Sequence, residues 1–290
     1  MGGIIDKITE FIKELLQGWV LTNLETMFTD VNDKVGTIAG EVSKTPSTWN
    51  SGIFDMIKTL SDNVMIPIMG MIISFVLVYE LISMVINKNN LHDFNTAIFI
   101  RFFMKACIAV MLLSKTFDIV MAVFDVGSHI VNSAAAAISG ETSIDVSSTL
   151  QTMFNEQFSE MSIGELLGLG METMIVSLCM KIMSVLITVI LYGRMIEIYL
   201  YVSVAPVPCA TVTNREWGTI GTNYFKGLCA LAFQGFFMMV CVAIYAVLVA
   251  GVTVADNLHT ALWSVAAYTV ILCFSLFKTG SLSKSIWNAH

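Results

Sequence analysis

Charge is scarce in this chain of 290 residues. Asp, Glu, Lys and Arg make up 13% of it, about half the share in ordinary soluble domains. Hydrophobic residues make up 56% and the mean hydropathy is +0.77. A compact soluble fold cannot cover its surface with so few charges, which excludes a cytosolic globular enzyme, a disordered chain, a coiled coil and a collagen-like chain. Bases are scarcer than acids: 15 against 22, a net charge of −7 and a pI near 5.0, with no basic patch in sequence. That argues against a basic nucleic-acid-binding domain. Cys107, Cys179, Cys209, Cys229, Cys241 and Cys273 all lie in or beside apolar runs, without paired spacing. Neither a disulfide framework nor a zinc pattern follows, and the six read as packing residues.

Catalytic signatures are missing too. There is no GxxxxGK[ST] phosphate loop, no HExxH and no GxSxG. His92, His129, His259 and His290 are scattered without ligand spacing. The expectation is a protein that is not an enzyme and holds no metal or cofactor.

Long apolar runs dominate what is present. Val64 to Ile86 is long enough to cross about 30 Å of hydrocarbon. Pro67 is tolerated near its start. Ala97 to Ser114 follows, carrying Arg101 and Lys105. Phe117 to Ser139 places Asp118, Asp125 and His129 on one helical face, with Val120, Phe124 and Val131 opposite. It reads as an interfacial helix or as a span with a polar seam, the former preferred. Met171 to Ala210 is apolar except for Lys181, Tyr192-Gly193-Arg194 and Glu197. Forty residues of helix would run about 60 Å, so it is either two spans with a tight turn or one span leading into a packed apolar helix. Pro206 and Pro208 end it. Gly227 to Val252 and Thr260 to Phe277 complete the set. The fold class is an all-α, polytopic α-helical integral membrane protein with about five core spans (range 5–7).

The N-terminus is no signal peptide. Ile4, Ile8, Phe11, Ile12, Leu15 and Trp19 recur at helical spacing among charged residues, which gives an amphipathic helix for a bilayer surface or a partner. The organisation read from the sequence is a polar or amphipathic segment at 1–63, first membrane helices at 64–139, an acidic loop at 140–170, a membrane core at 171–278 and a short tail at 279–290. No base occurs between Lys115 and Lys181, nor in 253–259, while Arg215, Lys226, Lys278 and Lys284 flank other ends. The positive-inside rule then puts the 140–170 loop and the N-terminus outside and the C-terminus in the cytoplasm. Reading 117–139 as a span would reverse the N-terminus.

Charges at membrane depth are costly and usually face a bundle interior, water or a partner. Arg101 and Lys105 share a face, with Glu80 on the preceding span as the opposite charge. A buried ionic seam competes here with plain snorkelling toward the headgroups. Lys181, about ten residues into its run, is the better candidate for a specific intramembrane partner.

One stretch carries a resemblance. Arg194-Met195-Ile196-Glu197 opens an apolar helix that ends in Ala205-Pro206-Val207-Pro208; a polar turn with Trp217 follows, then Lys226 and a span containing Leu231-Ala232-Phe233-Gln234. This is similar to the TrbL family, polytopic inner-membrane components of type IV secretion and conjugation systems. The resemblance covers about residues 171–278, and upstream rests on layout. It implies a non-enzymatic platform or channel subunit in the bacterial inner membrane. Such a subunit would help pass single-stranded DNA with relaxase, or protein cargo, using separate secretion ATPases. Its implied partners are other secretion subunits and further copies of itself. It marks Arg194, Glu197, Pro206, Pro208, Trp217 and Gln234 as motif positions. The short chain further suggests a minimal system, such as those of Gram-positive conjugative elements. The competing reading is a small-molecule permease subunit using Lys181 and the Asp118, Asp125 and His129 seam.

Overall fold

The computed structural model describes residues 2–86, 96–138, 158, 161–212, 218–252 and 258–289. Every element among them is helical. The first, α1 (Gly2–Ser43), runs 42 residues and stops just before Pro46. Thr45, preceding the proline, is extended at φ −80°, ψ 162°, as the proline ring demands of its predecessor. One turn, α2 (Pro46–Trp49), follows, with the Thr45 N–H donating to Thr48 Oγ1 at 3.0 Å. Asn50 then caps α3 (Ser51–Leu60), accepting from the Ile53 N–H at 3.0 Å.

Between α3 and α4 (Ile66–Ile86) lies a π turn, Ser61–Met65, in which the Ile66 N–H reaches back to the Ser61 carbonyl. Pro67 explains it. Its ring has no N–H and clashes with the carbonyl four residues back, so the helix takes up the misfit in a wider turn. The apolar run read from Val64 is thus the second half of a continuous helical stretch, Ser51–Ile86. Next come α5 (Thr96–Ser114) and α6 (Thr116–Ile138), separated only at Lys115.

Helix α7 (Ile163–Ser203) is 41 residues long. It opens on a capping box: the Ser162 N–H donates to Glu165 Oε2 at 2.7 Å while Ser162 Oγ faces the Glu165 N–H at 3.4 Å. No turn interrupts it at Tyr192-Gly193-Arg194, so the expected choice between two spans and one resolves to one helix. The break comes at the prolines, where α8 (Pro206–Thr211) begins with Pro206 in its first turn. Helices α9 (Gly218–Val252) and α10 (Leu258–Ile286) close the described chain.

Five stretches are long and apolar enough to cross a membrane: Ser51–Ile86, Thr116–Ile138, Ile163–Ser203, Gly218–Val252 and Leu258–Ile286. By length and composition α6, preferred above as interfacial, is one of them, and α5, read above as a span, is not. The loop at 140–170 lies outside the described residues up to 160, save Phe158; its last turns, from Ile163, belong to α7.

The chain divides into two compact units. One comprises Met1–Val42, Val131–Leu191 and Phe237–Thr279; the other comprises Ser43–Ile130, Tyr192–Phe236 and Gly280–His290. In the first, α1 lies lengthwise on the opening half of α7. Val20, Leu24, Met27, Val35, Ile38 and Val42 are buried, at spacings of three, four and eight, against Leu166, Leu169, Val176 and Met180. Polar contacts fix the register: Asn23 Nδ2 donates to Thr173 Oγ1 at 3.4 Å, and Lys34 Nζ to the Met180 carbonyl at 3.3 Å. At Gly170 the absence of a side chain admits the Trp19 ring, which a Cβ would meet at 2.2 Å.

In the second unit, Phe117, Val120 and Phe124 of α6 pack with Met195, Ile198 and Val202 of α7 and Leu228 and Leu231 of α9. The Tyr199 hydroxyl donates to the Pro46 carbonyl at 2.6 Å and so ties α2 to α7. Gly127 of α6 touches Ala232 of α9, where a Cβ would stand 3.0 Å from the Ala232 Cβ and 3.1 Å from its carbonyl oxygen. Gly193 has open space around its missing side chain. Gly127→Ala should therefore cost about 1–3 kcal/mol through overpacking, seen as a lower unfolding midpoint in detergent. Gly193→Ala should leave the midpoint unchanged or raise it, since alanine favours a helix by about 1 kcal/mol over glycine.

Candidate functional site

In a chain without catalytic motifs the informative side chains are charged or polar groups held within apolar helices. Lys105 of α5 pairs with Glu80 of α4, both side chains largely buried. The α4–α5 packing through Met69, Ile73, Ala109 and Leu113 brings them together. Arg101, one turn before Lys105, is exposed. The structure therefore joins one of the two bases to the acid and leaves the other on the outer surface. Lys181 is also exposed, on the outward side of α7.

Asp118, Asp125 and His129 do share one face of α6, and it is the outer face. Asp118 accepts from Lys115 Nζ at 3.2 Å. The opposite side, through Phe117, Val120 and Phe124, is buried. These residues therefore form a surface stripe and not a cavity.

The positions carrying the resemblance converge more closely. Arg194 is 7% exposed, and its Nε has no hydrogen-bond partner. It belongs to the face of α7 that also buries Met195, Ile198 and Val202. Glu197, one turn on, accepts from Lys284 Nζ of α10 at 2.8 Å. Gln234 is 6% exposed on α9, with its Nε2 only 3.2 Å from where a Cβ on Gly280 of α10 would stand. Ser283 Oγ donates to the Ala230 carbonyl at 2.5 Å. A run of small and polar groups thus stitches α9 to α10 by hydrogen bonds and close approach, the usual bonding between helices in lipid.

Pro206 and Pro208 are both buried in α8. Gly221 of α9 is pressed against the end of α8: a Cβ there would meet Val212 Cγ2 at 2.2 Å and the Pro208 carbonyl oxygen at 2.7 Å. Burial pushes the Cys209 thiol up from its ordinary value, so it is not a reactive thiolate. Trp217 and the rest of 213–217 lie outside the described residues, as does His92.

A pocket of about 600 Å³ opens between the end of α7 and the start of α9. Tyr201, Ser203, Asn223 and Tyr224 supply its polar lining. The two tyrosine rings stack 5.6 Å apart, and the Tyr224 hydroxyl donates to the Tyr201 carbonyl at 2.8 Å.

Several groups escaped the sequence reading. Lys284 was read only as a marker of orientation. Glu172 accepts from Trp263 Nε1 at 2.5 Å and also meets His259 Nδ1. Lys34 was counted with the polar N-terminal segment but is buried. Partners 87 or 146 residues away leave no local signal. Among the described residues no group of His, Cys, Asp and Glu is arranged to hold a metal ion.

Helices of this length and hydropathy, with polar groups buried between them, define a multi-pass α-helical membrane protein. Residues 31–206 match the family model described as TrbL/VirB6 plasmid conjugal transfer like protein. That stretch is more than half of the chain, which therefore belongs to this family of conjugal transfer membrane components. Arg194, Glu197 and Pro206 lie within the matched stretch; Pro208, Trp217 and Gln234 lie beyond it. The match reaches back to the second half of α1, upstream of the region on which the resemblance was drawn. No curated protein and no solved structure matches the chain.

The Glu80–Lys105 pair gives a direct test of what holds α4 to α5. Lys105→Met leaves a largely buried carboxylate without its partner and should cost about 1–3 kcal/mol in detergent unfolding. Lys105→Glu should be worse. The exchanged pair Glu80→Lys with Lys105→Glu should recover much of the loss. Equal midpoints for all these variants would show that the pair contributes nothing.

Proposed function

We propose that this chain is a platform, or channel, subunit of a conjugation or type IV secretion apparatus in the bacterial inner membrane. It would assist the passage of single-stranded DNA with relaxase, or of protein cargo. The observation that carries this reading is the family match over residues 31–206, coincident with helices long enough to cross a bilayer. The chain shows no nucleotide-binding loop, so energy comes from separate secretion ATPases. Its partners are those ATPases, other membrane subunits and further copies of itself. The C-terminus is placed in the cytoplasm on the distribution of lysine and arginine.

Within this reading Lys181 is a contact for a neighbouring subunit. It is exposed and surrounded in sequence by Met180, Ile182 and Met183, and lipid is a poor environment for an unpaired ammonium. Pro206 and Pro208 set where α7 ends, and so where the tightly packed α8 begins. A permease subunit would need a polar site enclosed at mid-bilayer. The Asp118, Asp125 and His129 stripe lies on an outer face instead, which favours the platform.

Purification from the native host in mild detergent, with mass spectrometry of what is retained, tests the function. A large secretion-type ATPase and a single-span membrane partner should be retained. Recovery of an importer-type nucleotide-binding subunit or a solute-binding protein would replace the platform with the permease. Pro206→Ala should lower transfer frequency roughly tenfold or more by letting α7 run on, while the protein still inserts. Lys181→Leu should act in the same direction by weakening assembly. Normal transfer with both variants would remove these residues from the mechanism.

A further inference from the structure

The outer face of α1 does not match its surroundings. From residue 22 to residue 40 its exposed side chains, among those described, are threonines, acids and glycines; Thr22, Thr29, Asp33 and Thr37 are examples. Among the side chains described in that stretch, no exposed one is large and apolar. Helix α7, on which α1 lies, is the opposite. Met174, Ile175, Leu178, Ile182, Val185 and Val189 are all exposed there.

The two faces stand at the same level. Asn23 reaches Thr173 and Lys34 reaches the Met180 carbonyl, so α1 runs beside α7 through the stretch that begins at Met174. From Met174 to Leu191 the only charged residue is Lys181. At 1.5 Å per residue this is about 27 Å of helix, close to the thickness of a hydrocarbon core. The outward apolar side chains of α7 suit lipid. Carboxylates on α1 do not, because a charged side chain at that depth faces water, a polar cavity or another protein. The α1 stripe is polar over several turns, too extended for single side chains to snorkel out of the bilayer.

We propose that the exposed face of α1, centred on Thr29, Asp33 and Thr37, lines a water-filled passage at membrane depth, with the apolar face of α7 turned to lipid and Lys181, at the edge of that face, to the neighbouring subunit. The inference rests on the platform reading and says which surface of the subunit meets the passage. Its exposed acids are Glu25 and Asp33, and the neighbouring base Lys34 is buried against α7. The lining is therefore hydroxylic and negative. Such a wall repels a phosphate backbone and lets cargo slide past without a strong binding site.

The test is thiol accessibility in the assembled apparatus. Thr29→Cys, Asp33→Cys and Thr37→Cys are each made in the full chain, keeping the six native cysteines. Intact cells and inverted membrane vesicles are treated with a membrane-impermeant, positively charged methanethiosulfonate. Peptide mapping then shows which cysteine has reacted. Cys179 is the internal control, being exposed on the apolar side of α7. The α1 cysteines are expected to react at least about tenfold faster than Cys179, since the charged reagent cannot follow a thiol into hydrocarbon. If all three α1 positions are spared in both preparations, a protein partner covers that face and the proposal is wrong. It is equally wrong if Cys179 reacts as fast as they do. Transfer frequency in the same cells is read separately. Spared cysteines with normal, protein-dependent transfer would overturn the lining and leave the platform standing, whereas transfer that persists without this protein would remove the platform itself.

Discussion

The constraint on which the structure turns is the cost of polarity in hydrocarbon. An unsatisfied backbone group there costs several kcal/mol, which is why every described element is a helix. An unpaired charge is costlier still. Most charged groups set between these helices are accordingly met by another atom. Lys105 has Glu80, Glu197 has Lys284, and Lys34 has a helix carbonyl. Arg194 departs from this pattern, with an Nε that no neighbour accepts. A guanidinium has five donors and cannot in practice lose its proton, so the unmet Nε is a cost carried inside the unit. The match to the family covers that residue.

Much of this was legible, because membrane spans depend on composition more than on register. Runs such as Val64 to Ile86 and Gly227 to Val252 stand out whatever face they turn inward. The signals for helix ends were legible in kind but not always in consequence. Pro206 and Pro208 marked the end of α7, and Pro46 the turn after α1. The box formed by Ser162 and Glu165, however, lay in a stretch read as polar loop, so the start of α7 was placed eight residues late, at Met171. Glu165 disguised the first two turns, and Glu172 the third. One caps the helix and the other serves Trp263 and His259.

The second half of α1 was the larger miss. Its buried apolar residues recur at 20, 24, 27, 35, 38 and 42, the spacing of a narrow packing seam. At the other positions threonine, glycine, amide and charged residues outnumber Leu21, Phe28, Val31 and Ala39 and dilute the average hydropathy. A window that sums hydropathy sees a mixed polar segment, whereas one that follows the seam sees a helix made to lie on another. The long-range pairs were beyond either method. Glu80 could be offered as a counter-charge because it was the acid on the adjoining span. Nothing near Glu197 pointed to Lys284, because that contact depends on how two helices far apart in sequence pack.

The same economy of charge bears on cargo. A passage for a polyanion can be basic, which raises local concentration and also slows release, or it can be neutral to acidic, which does neither. Conduction requires that binding be weak enough to leave as well as strong enough to enter. Here the bases are withdrawn: Lys34 is turned into the protein, and none occurs between Lys115 and Lys181. The acidic 140–170 segment and the acidic outer face of α1 then have the same electrostatic sense. A subunit built this way cannot draw single-stranded DNA by its own field, since the attraction that steers nucleic acid comes from clustered lysine and arginine. On the proposed passage, delivery and direction come from partners, and this chain contributes a wall to which the cargo would not stick.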